Sequence, residues 1–218
     1  MGGAADAEVR VLKLIFVDTT LVVVDKPAGL LAVPGRGEAG RDCLAFFVQQ
    51  THADALVVHR LDMATSGLML FARGAAMQRA LSMAFEQRRV HKRYVAVVDG
   101  LLDGDAGHID APLAADWPNR PRQVVDAERG KPSLTRWRVL ARDAAAQRTR
   151  LELEPVTGRS HQLRVHLASI GHAIVGDGLY ASADGAAAEP RLLLHASHLA
   201  FDHPQTGATL AFDSAAPF

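Results

Sequence analysis

An α+β architecture is predicted by three features of the chain. Short β-branched segments are numerous, helical apolar repeats are few, and strands and helices do not alternate in a regular βαβ series. No internal repeat, coiled coil or long low-complexity tail interrupts this pattern.

Residues 1–10 read as a flexible leader ahead of a single domain over 11–218. Leu12 to Val17 and Leu21 to Asp25 read as two strands joined by a turn at Asp18-Thr19-Thr20. Lys26-Pro27-Ala28-Gly29 stops the second, and Pro34-Gly35-Arg36-Gly37 marks a mobile loop. A helix is expected from Asp42 to about Gln50, burying Leu44, Phe47 and Val48. Leu68 to Phe71 reads as a buried strand. After Gly74, the spacing of Met77, Leu81, Ala84 and Phe85 predicts a second helix to about Gln87. Tyr94 to Val98 reads as a strand, and 99–132 as a turn-rich stretch broken by Pro112, Trp117-Pro118-Asn119 and Pro121. Ser133 to Leu140 and Thr149 to Leu153 resemble paired strands. Ser160 to Ile170 is the clearest late helix, with Leu163, Leu167 and Ile170 as its stripe, Gly171 at its end and Thr157 or Ser160 as cap. Ala183 to Ala188 reads as a surface loop or helical turn. Leu192 to Leu194 and Thr209 to Phe212 read as closing strands.

With 49% hydrophobic and 22% charged residues over 218 positions, a folded chain with a substantial core is expected. The lone Cys43 excludes an internal disulfide. The first fifteen residues lack the form of a signal peptide and no apolar run is long enough to span a bilayer, so a cytoplasmic protein without membrane association is expected. No Gly-x-Gly-x-x-Gly or Walker loop supports a nucleotide-cofactor fold. Lys plus Arg and Asp plus Glu are equal at 24 each, which argues mildly against a nucleic-acid partner. Local potential matters more than the total, and Arg88-Arg89-Val90-His91-Lys92-Arg93 is a dense basic run, with Arg120, Arg122, Arg136 and Arg138 beyond it. Charge pattern alone favours an ordinary solvated surface over RNA.

Two segments concentrate chemistry. His59-Arg60-Leu61-Asp62-Met63-Ala64-Thr65-Ser66-Gly67 packs a carboxylate, a guanidinium and two hydroxyls before an apolar strand. A turn in which Asp62 merely caps backbone groups is an equal reading of those residues. Thr157-Gly158-Arg159-Ser160-His161-Gln162-Leu163-Arg164-Val165-His166 crowds polar groups at a helix start. Arg164 falls in the helix interior, where an unpaired guanidinium is costly, and Asp62 is a sensible partner. His195, His198 and His203 lack zinc spacing, and adjacent Ser160 and His161 with Asp62 make a poor hydrolytic triad.

At these residues the chain resembles the ribosomal large-subunit type A family of pseudouridine synthases. His59–Gly67 matches the family signature HRLDxxTSG. Lys92-Arg93-Tyr94 resembles its second motif, Gly158–His166 its third, and Arg191-Leu192-Leu193-Leu194-His195-Ala196 its terminal motif. The likeness runs from about Leu14 to Phe218, and Asp116–Pro121 with the short length looks most like a member acting on both 23S ribosomal RNA and transfer RNA.

The resemblance implies a pseudouridine synthase fold, with a central mixed or mainly antiparallel sheet and peripheral helices, and no separate S4-type RNA-binding domain. It implies isomerisation of uridine in structured RNA, at uridine 32 of the transfer-RNA anticodon stem-loop and uridine 746 of a 23S stem-loop. Asp62 would be the catalytic carboxylate, Tyr94 would stack on the base and assist proton transfer, and Arg164 would pair with Asp62. Arg60 would fill the space of the displaced uridine and Leu194 would line the uracil pocket. His59, Thr65, Lys92, Arg159, His161 and Gln162 would complete the substrate contacts. Breaking N1–C1′ and forming C5–C1′ transfers no external group, so neither cofactor nor metal is implied; nor is an obligate protein partner, and a monomer is expected. A carboxylate serves either as nucleophile toward C1′ or as base toward the C2′ proton. Acidic residues are expected away from the cleft, with Arg88, Arg89, Lys92, Arg93, Arg120 and Arg122 near its rim. The competing readings are a non-catalytic RNA-binding or chaperone-like protein on the same fold, and a nucleoside hydrolase that releases free uracil.

Overall fold

The computed structural model describes residues 12–35 and 42–218. The expected leader and the Arg36-Gly37 end of the expected loop lie outside these residues. Strands β1 (Lys13–Val17) and β2 (Leu21–Lys26) form the first hairpin, and helix α1 (Leu44–Thr51) follows. Next come β3 (Ala55–Val57), β4 (Ser66–Arg73), α2 (Ala75–Glu86) and β5 (His91–Asp99). Then β6 (Ala106–Asp110), β7 (Leu113–Ala115), β8 (Gln123–Val125), β9 (Leu134–Asp143) and β10 (Arg148–Pro155) run in succession. Helices α3 (Gln162–Ser169) and α4 (Ala183–Ala187) precede β11 (Leu194–Asp202) and β12 (Thr209–Asp213).

One mixed sheet runs β1-β2-β4-β11-β5-β10-β9-β6, with β3 beside β4 and β12 beside β11; β7 and β8 form a separate hairpin. The β4–β11 pairing is parallel and the other pairings of the large sheet are antiparallel. Strands β2 and β4 read as unbroken apolar runs because both faces are covered. Leu21, Val23, Leu68, Leu70 and Ala72 pack with Met77, Leu81 and Ala84 of α2. Val22, Val24, Met69 and Phe71 pack on the opposite face with Leu44, Ala45 and Val48 of α1. A third core joins β5, β10 and β11 to Leu163 and Leu167 of α3.

Several expectations are corrected. Helix α1 begins at Leu44, capped by the Cys43 sulfur, which accepts from the Phe46 N–H at 3.5 Å, and Phe47 is only half-buried. The turn-rich stretch holds β6, β7 and β8, of five, three and three residues, which are too short to show a period. Strand β11 begins at Leu194 rather than ending there. Helix α3 starts at Gln162, after His161 in the left-handed conformation at φ 53°, and has no side-chain cap. Thr157 instead donates to the Gln162 side chain and Ser160 is exposed. Nor does α3 carry a stripe: Leu163 to Leu167 are all buried, including Arg164 and His166, while Ile170 is exposed.

Gly67 sets the spacing of the central strands. Its φ is +115°, and a Cβ there would lie 2.3 Å from the Ala196 carbonyl oxygen of β11. Gly67→Ala is expected to cost about 2–4 kcal/mol, combining backbone strain with overpacking. A urea midpoint close to that of the native protein would refute this.

Candidate active site

Asp62 sits in the loop between β3 and β4. The loop is pinned by Thr65 N–H donating to the Asp62 carbonyl at 3.1 Å and Gly29 N–H donating to the Met63 carbonyl at 2.9 Å. Lys26, fully buried, adds a third tie: its ammonium donates to the carbonyls of Pro27, Leu30 and Met63 at 2.8, 2.8 and 3.0 Å. Burial lowers the Lys26 pKa to about 8 against the opposing attraction of Asp62. Sequence reasoning missed Lys26 because a lysine ending an apolar strand ordinarily points to solvent.

The floor of the site is an ion cluster centred on Arg164. Its guanidinium grips Asp177 bidentately, Nε to Oδ2 and Nη2 to Oδ1 both at 2.7 Å, and turns Nη1 toward Asp62 Oδ2 at 3.3 Å. The expected Arg164–Asp62 contact is present, but Asp177 is the tighter partner and sequence reasoning missed it. Asp177 is itself fixed by the N–H groups of Leu179 and Tyr180 at 2.9 and 3.2 Å. Hydrogen bonds and charge from both aspartates outweigh burial and raise the Arg164 pKa. One signal was available: a guanidinium in a helix interior has more donors than one carboxylate satisfies.

His161 Nε2 stands 3.9 Å from Asp62 Oδ2, and His161 Nδ1 is 2.6 Å from the Tyr180 hydroxyl. Its left-handed backbone aims the ring across the cavity, a strained geometry typical of functional positions. Burial lowers the His161 pKa, opposed by Asp62. Tyr94, on β5, packs against the core beside Leu194, and burial together with the Asp62 charge pushes its phenol pKa up, so the hydroxyl stays protonated.

Around these groups lies a cavity of about 620 Å³, within the usual size of a small-ligand site. Asp62, Tyr94, Arg164, His59, Arg60, Thr65, Lys92, Arg159, His161, Gln162 and Leu194 all line it, so residues up to 135 positions apart in sequence are gathered on one wall system. Two have their polar groups committed inward. Gln162 accepts from Thr157 and the Arg159 N–H and donates to the Leu134 carbonyl and Thr135, tying α3 to β9. His59 Nε2 accepts from the Leu70 N–H at 2.9 Å while its ring stacks on Phe85, with centroids 4.5 Å apart.

The rim differs in part from expectation. Arg88 and Lys92 line the cavity, whereas Arg89, Arg93, Arg120 and Arg122 do not; Arg93 pairs with Glu152 at 3.5 Å across β5 and β10. Glu86 and Glu154 do line it, contrary to the expected exclusion of acids. Glu154 is held there by strand register opposite Arg136, with which it pairs at 3.4 Å. The lining remains cationic, with Arg60, Arg88, Lys92, Arg159 and Arg164 against Asp62, Glu86 and Glu154. The three C-terminal histidines bond separately: His195 to Ser66 and Ser214, His198 to Asp213, His203 to Thr20. Among the described residues no group of three or more His, Cys, Asp or Glu is arranged for a metal ion, and no helix is long and apolar enough to cross a membrane.

Burial holds the His59 pKa near 3, against 6.5 unperturbed, so at neutral pH the ring is an uncharged acceptor. On acidification from about 6.5 toward 3 the unfolded chain takes up this proton before the native one does, and stability falls across that window. The expected loss is about 2–4 kcal/mol after allowance for solvent at the cavity side. His59→Gln, which keeps an acceptor but cannot titrate, is expected to flatten the acid limb in urea titrations; an unchanged pH slope would refute this.

A mixed sheet presents a buried carboxylate–guanidinium cluster at the foot of a cation-lined cavity, the layout of an enzyme site for an anionic substrate, and comparison with known proteins makes the class specific. The family profile described as RNA pseudouridylate synthase matches residues 20–169, and the chain belongs to that family. It is 48% identical over 197 residues to the dual-specificity RNA pseudouridine synthase RluA of Vibrio vulnificus (strain CMCP6), covering 89% of this chain and 79% of the relative. It is 46% identical to the RluA proteins of Yersinia pestis, covering 94% and 99%, and of Escherichia coli (strain K12), covering 95% and 94%. The solved structure of human RNA Pseudouridylate Synthase Domain Containing 1 superposes with a TM-score of 0.80 at 26% identity, covering 100% of this chain and 87% of that one. The protein is thus an RluA-family RNA pseudouridine synthase, an isomerase that converts uridine to pseudouridine in RNA.

Proposed function

We propose that this synthase modifies both transfer RNA and 23S ribosomal RNA, at uridine 32 of an anticodon stem-loop and uridine 746 of a ribosomal stem-loop. Supporting this are the dual-specificity relatives it matches over almost its whole length and the Asp116–Pro121 segment. The observation that carries the catalytic assignment is the convergence of Asp62, Tyr94, Arg164 and Leu194 on one cavity. The target uridine leaves its stack at a cost of a few kcal/mol, and stacking on Tyr94 returns about 1–3 kcal/mol. Leu194 closes the other side of the base, and Arg60, exposed at the mouth, takes the vacated place in the RNA. Asp62 then acts at the sugar, at C1′ or on the C2′ proton, while Arg164 holds its carboxylate in line. His59, Thr65, Lys92, Arg159, His161 and Gln162 shape and charge the walls. One catalytic domain over 11–218, acting as a monomer in the cytoplasm without cofactor or metal, suffices for this chemistry.

Tritium release from C5-labelled uridine, measured on each stem-loop and followed by mapping of the modified position, tests the reading. Release from both RNAs at the named uridines is expected. Release from only one, or at other uridines, would overturn the dual assignment while leaving the reaction class intact.

A further inference from the structure

We propose that the tip of the β7–β8 hairpin is a second RNA contact: Trp117 offers its indole as a stacking platform for an unpaired base, and Arg120 and Arg122 meet the adjoining phosphates. The inference rests on the reading of the cavity as an RNA site. A single exposed apolar side chain is ordinary, but Trp117 differs in rigidity, in its neighbour and in its place.

Trp117 is 67% exposed, the most exposed large hydrophobic side chain among the described residues. The turn carrying it is nonetheless firmly held. Asp116 N–H donates to the Arg122 carbonyl at 3.0 Å, Asn119 N–H to the Asp116 carbonyl at 3.1 Å, and Arg122 N–H to the Asn119 carbonyl at 3.0 Å. The Asn119 side-chain amide also bonds both carboxylate oxygens of Asp116, at 3.1 and 3.0 Å, engaging the acid at the turn's base. A platform fixed before binding loses little entropy when a base settles on it.

The Arg120 guanidinium carbon lies 3.2 Å from the centroid of the Trp117 ring. A flat cation stacked on a flat ring, with the indole still mostly open to solvent, is the chemistry that accepts bases without demanding a particular one. It places a phosphate-binding donor set directly beside an aromatic face. In a chain of zero formal charge, such a pairing concentrates attraction locally.

The hairpin is also joined to the catalytic groups. Gln123 N–H donates to the Tyr180 hydroxyl at 2.8 Å, and the Arg122 guanidinium stands 5.4 Å from the Tyr180 ring. Tyr180 in turn bonds His161, which faces Asp62. An RNA loop that delivers its uridine to Asp62 therefore passes the hairpin on this side of the cavity, where its neighbouring unpaired bases need a surface.

The test uses the full chain and a stem-loop RNA, with native conversion and affinity measured alongside the variants. Trp117→Ala is expected to raise Kd and KM about 5–150-fold, the loss of one stacked base, with the effect on KM rather than kcat and no change in the melting midpoint. Native tryptophan fluorescence should be quenched by the RNA, and Trp117→Phe, which leaves only Trp137, should abolish the quenching while retaining part of the affinity. A Kd for Trp117→Ala within twofold of native, or quenching that survives in Trp117→Phe, would overturn the proposal. So would a native dimer in sedimentation that Trp117→Ala dissolves, since the surface would then serve a second copy. Native protein that binds RNA through Trp117 but forms no pseudouridine would sink the synthase reading and spare the hairpin; native conversion with undiminished Trp117→Ala binding would do the reverse. Native protein that does not bind RNA overturns both.

Discussion

Replacing Asp62 with asparagine is expected to cut pseudouridine formation at least about 100-fold while leaving the protein folded and able to bind RNA. The two halves of this outcome have separate causes. Of the two aspartates that meet Arg164, Asp62 faces the cavity, with its side chain 23% exposed, whereas Asp177 is wholly buried behind Arg164. Because Asp177 keeps its two 2.7 Å bonds to the guanidinium, removing the charge at Asp62 does not strand Arg164. Asparagine fits the same loop, whose fixed points are backbone groups: the Asp62 carbonyl bonds Thr65, and the Met63 carbonyl bonds Lys26 and Gly29. What disappears is the anionic oxygen that the proposed mechanism sets beside the sugar. If that oxygen removes the C2′ proton, the rate should fall about 10²–10⁴-fold. If it attacks C1′ as a nucleophile, no product should form, since an amide cannot form the intermediate at a comparable rate. Single-turnover tritium release, with Kd measured on the same preparation, reads both. Activity within tenfold of native would remove Asp62 from the chemistry; a fall matched by loss of the folded state would assign it to structure.

The local parts of this site are legible in the sequence and the non-local parts are not. Asp62, Tyr94 and Arg164 each sit in a contiguous polar segment next to an apolar run, a pattern that survives without knowledge of the fold. Lys26, Asp177 and Tyr180 carry no such mark. Each acquires its role from a pairing across the chain: Lys26 with Met63, Asp177 with Arg164, Tyr180 with His161 and Gln123. The same distinction governs the fold. Strands β2 and β4 show as apolar runs because α1 and α2 cover both their faces. Strands β6, β7 and β8 depend on register with a partner, and β7 and β8 hold only three residues each, below the length at which alternation is readable. Helix α3 misleads for a related reason. It is enclosed along its first six residues, so Arg164 and His166 occupy positions that a one-sided stripe would assign to solvent.

Asp177→Asn should have the inverse effect of Asp62→Asn: a large loss of stability, with catalysis impaired only as the cluster is disturbed. The Arg164 side chain is 6% exposed and that of Asp177 0%. Both charges are almost sealed from bulk water, so the pair is stable only while both members are present. Removing Asp177 leaves the guanidinium with Asp62 alone, at 3.3 Å through a single nitrogen, and leaves Nε and Nη2 facing a neutral amide that matches one of them at best. Breaking one side of a buried pair costs about 3–5 kcal/mol. Part of that loss should reappear as a displaced Arg164 drawn toward Asp62, which would reorient the Asp62 carboxylate and lower kcat secondarily. Replacing both partners together, Asp177→Leu with Arg164→Met, removes the stranded charge, so the double variant should recover stability relative to Asp177→Asn without recovering activity. Urea denaturation of native, single and double variants measures this coupling directly. A single variant within 1 kcal/mol of native would mean that Asp62 or solvent already satisfies the arginine. A double variant no more stable than the single would show that shape, rather than charge, fixes α3 against the Asp177 turn.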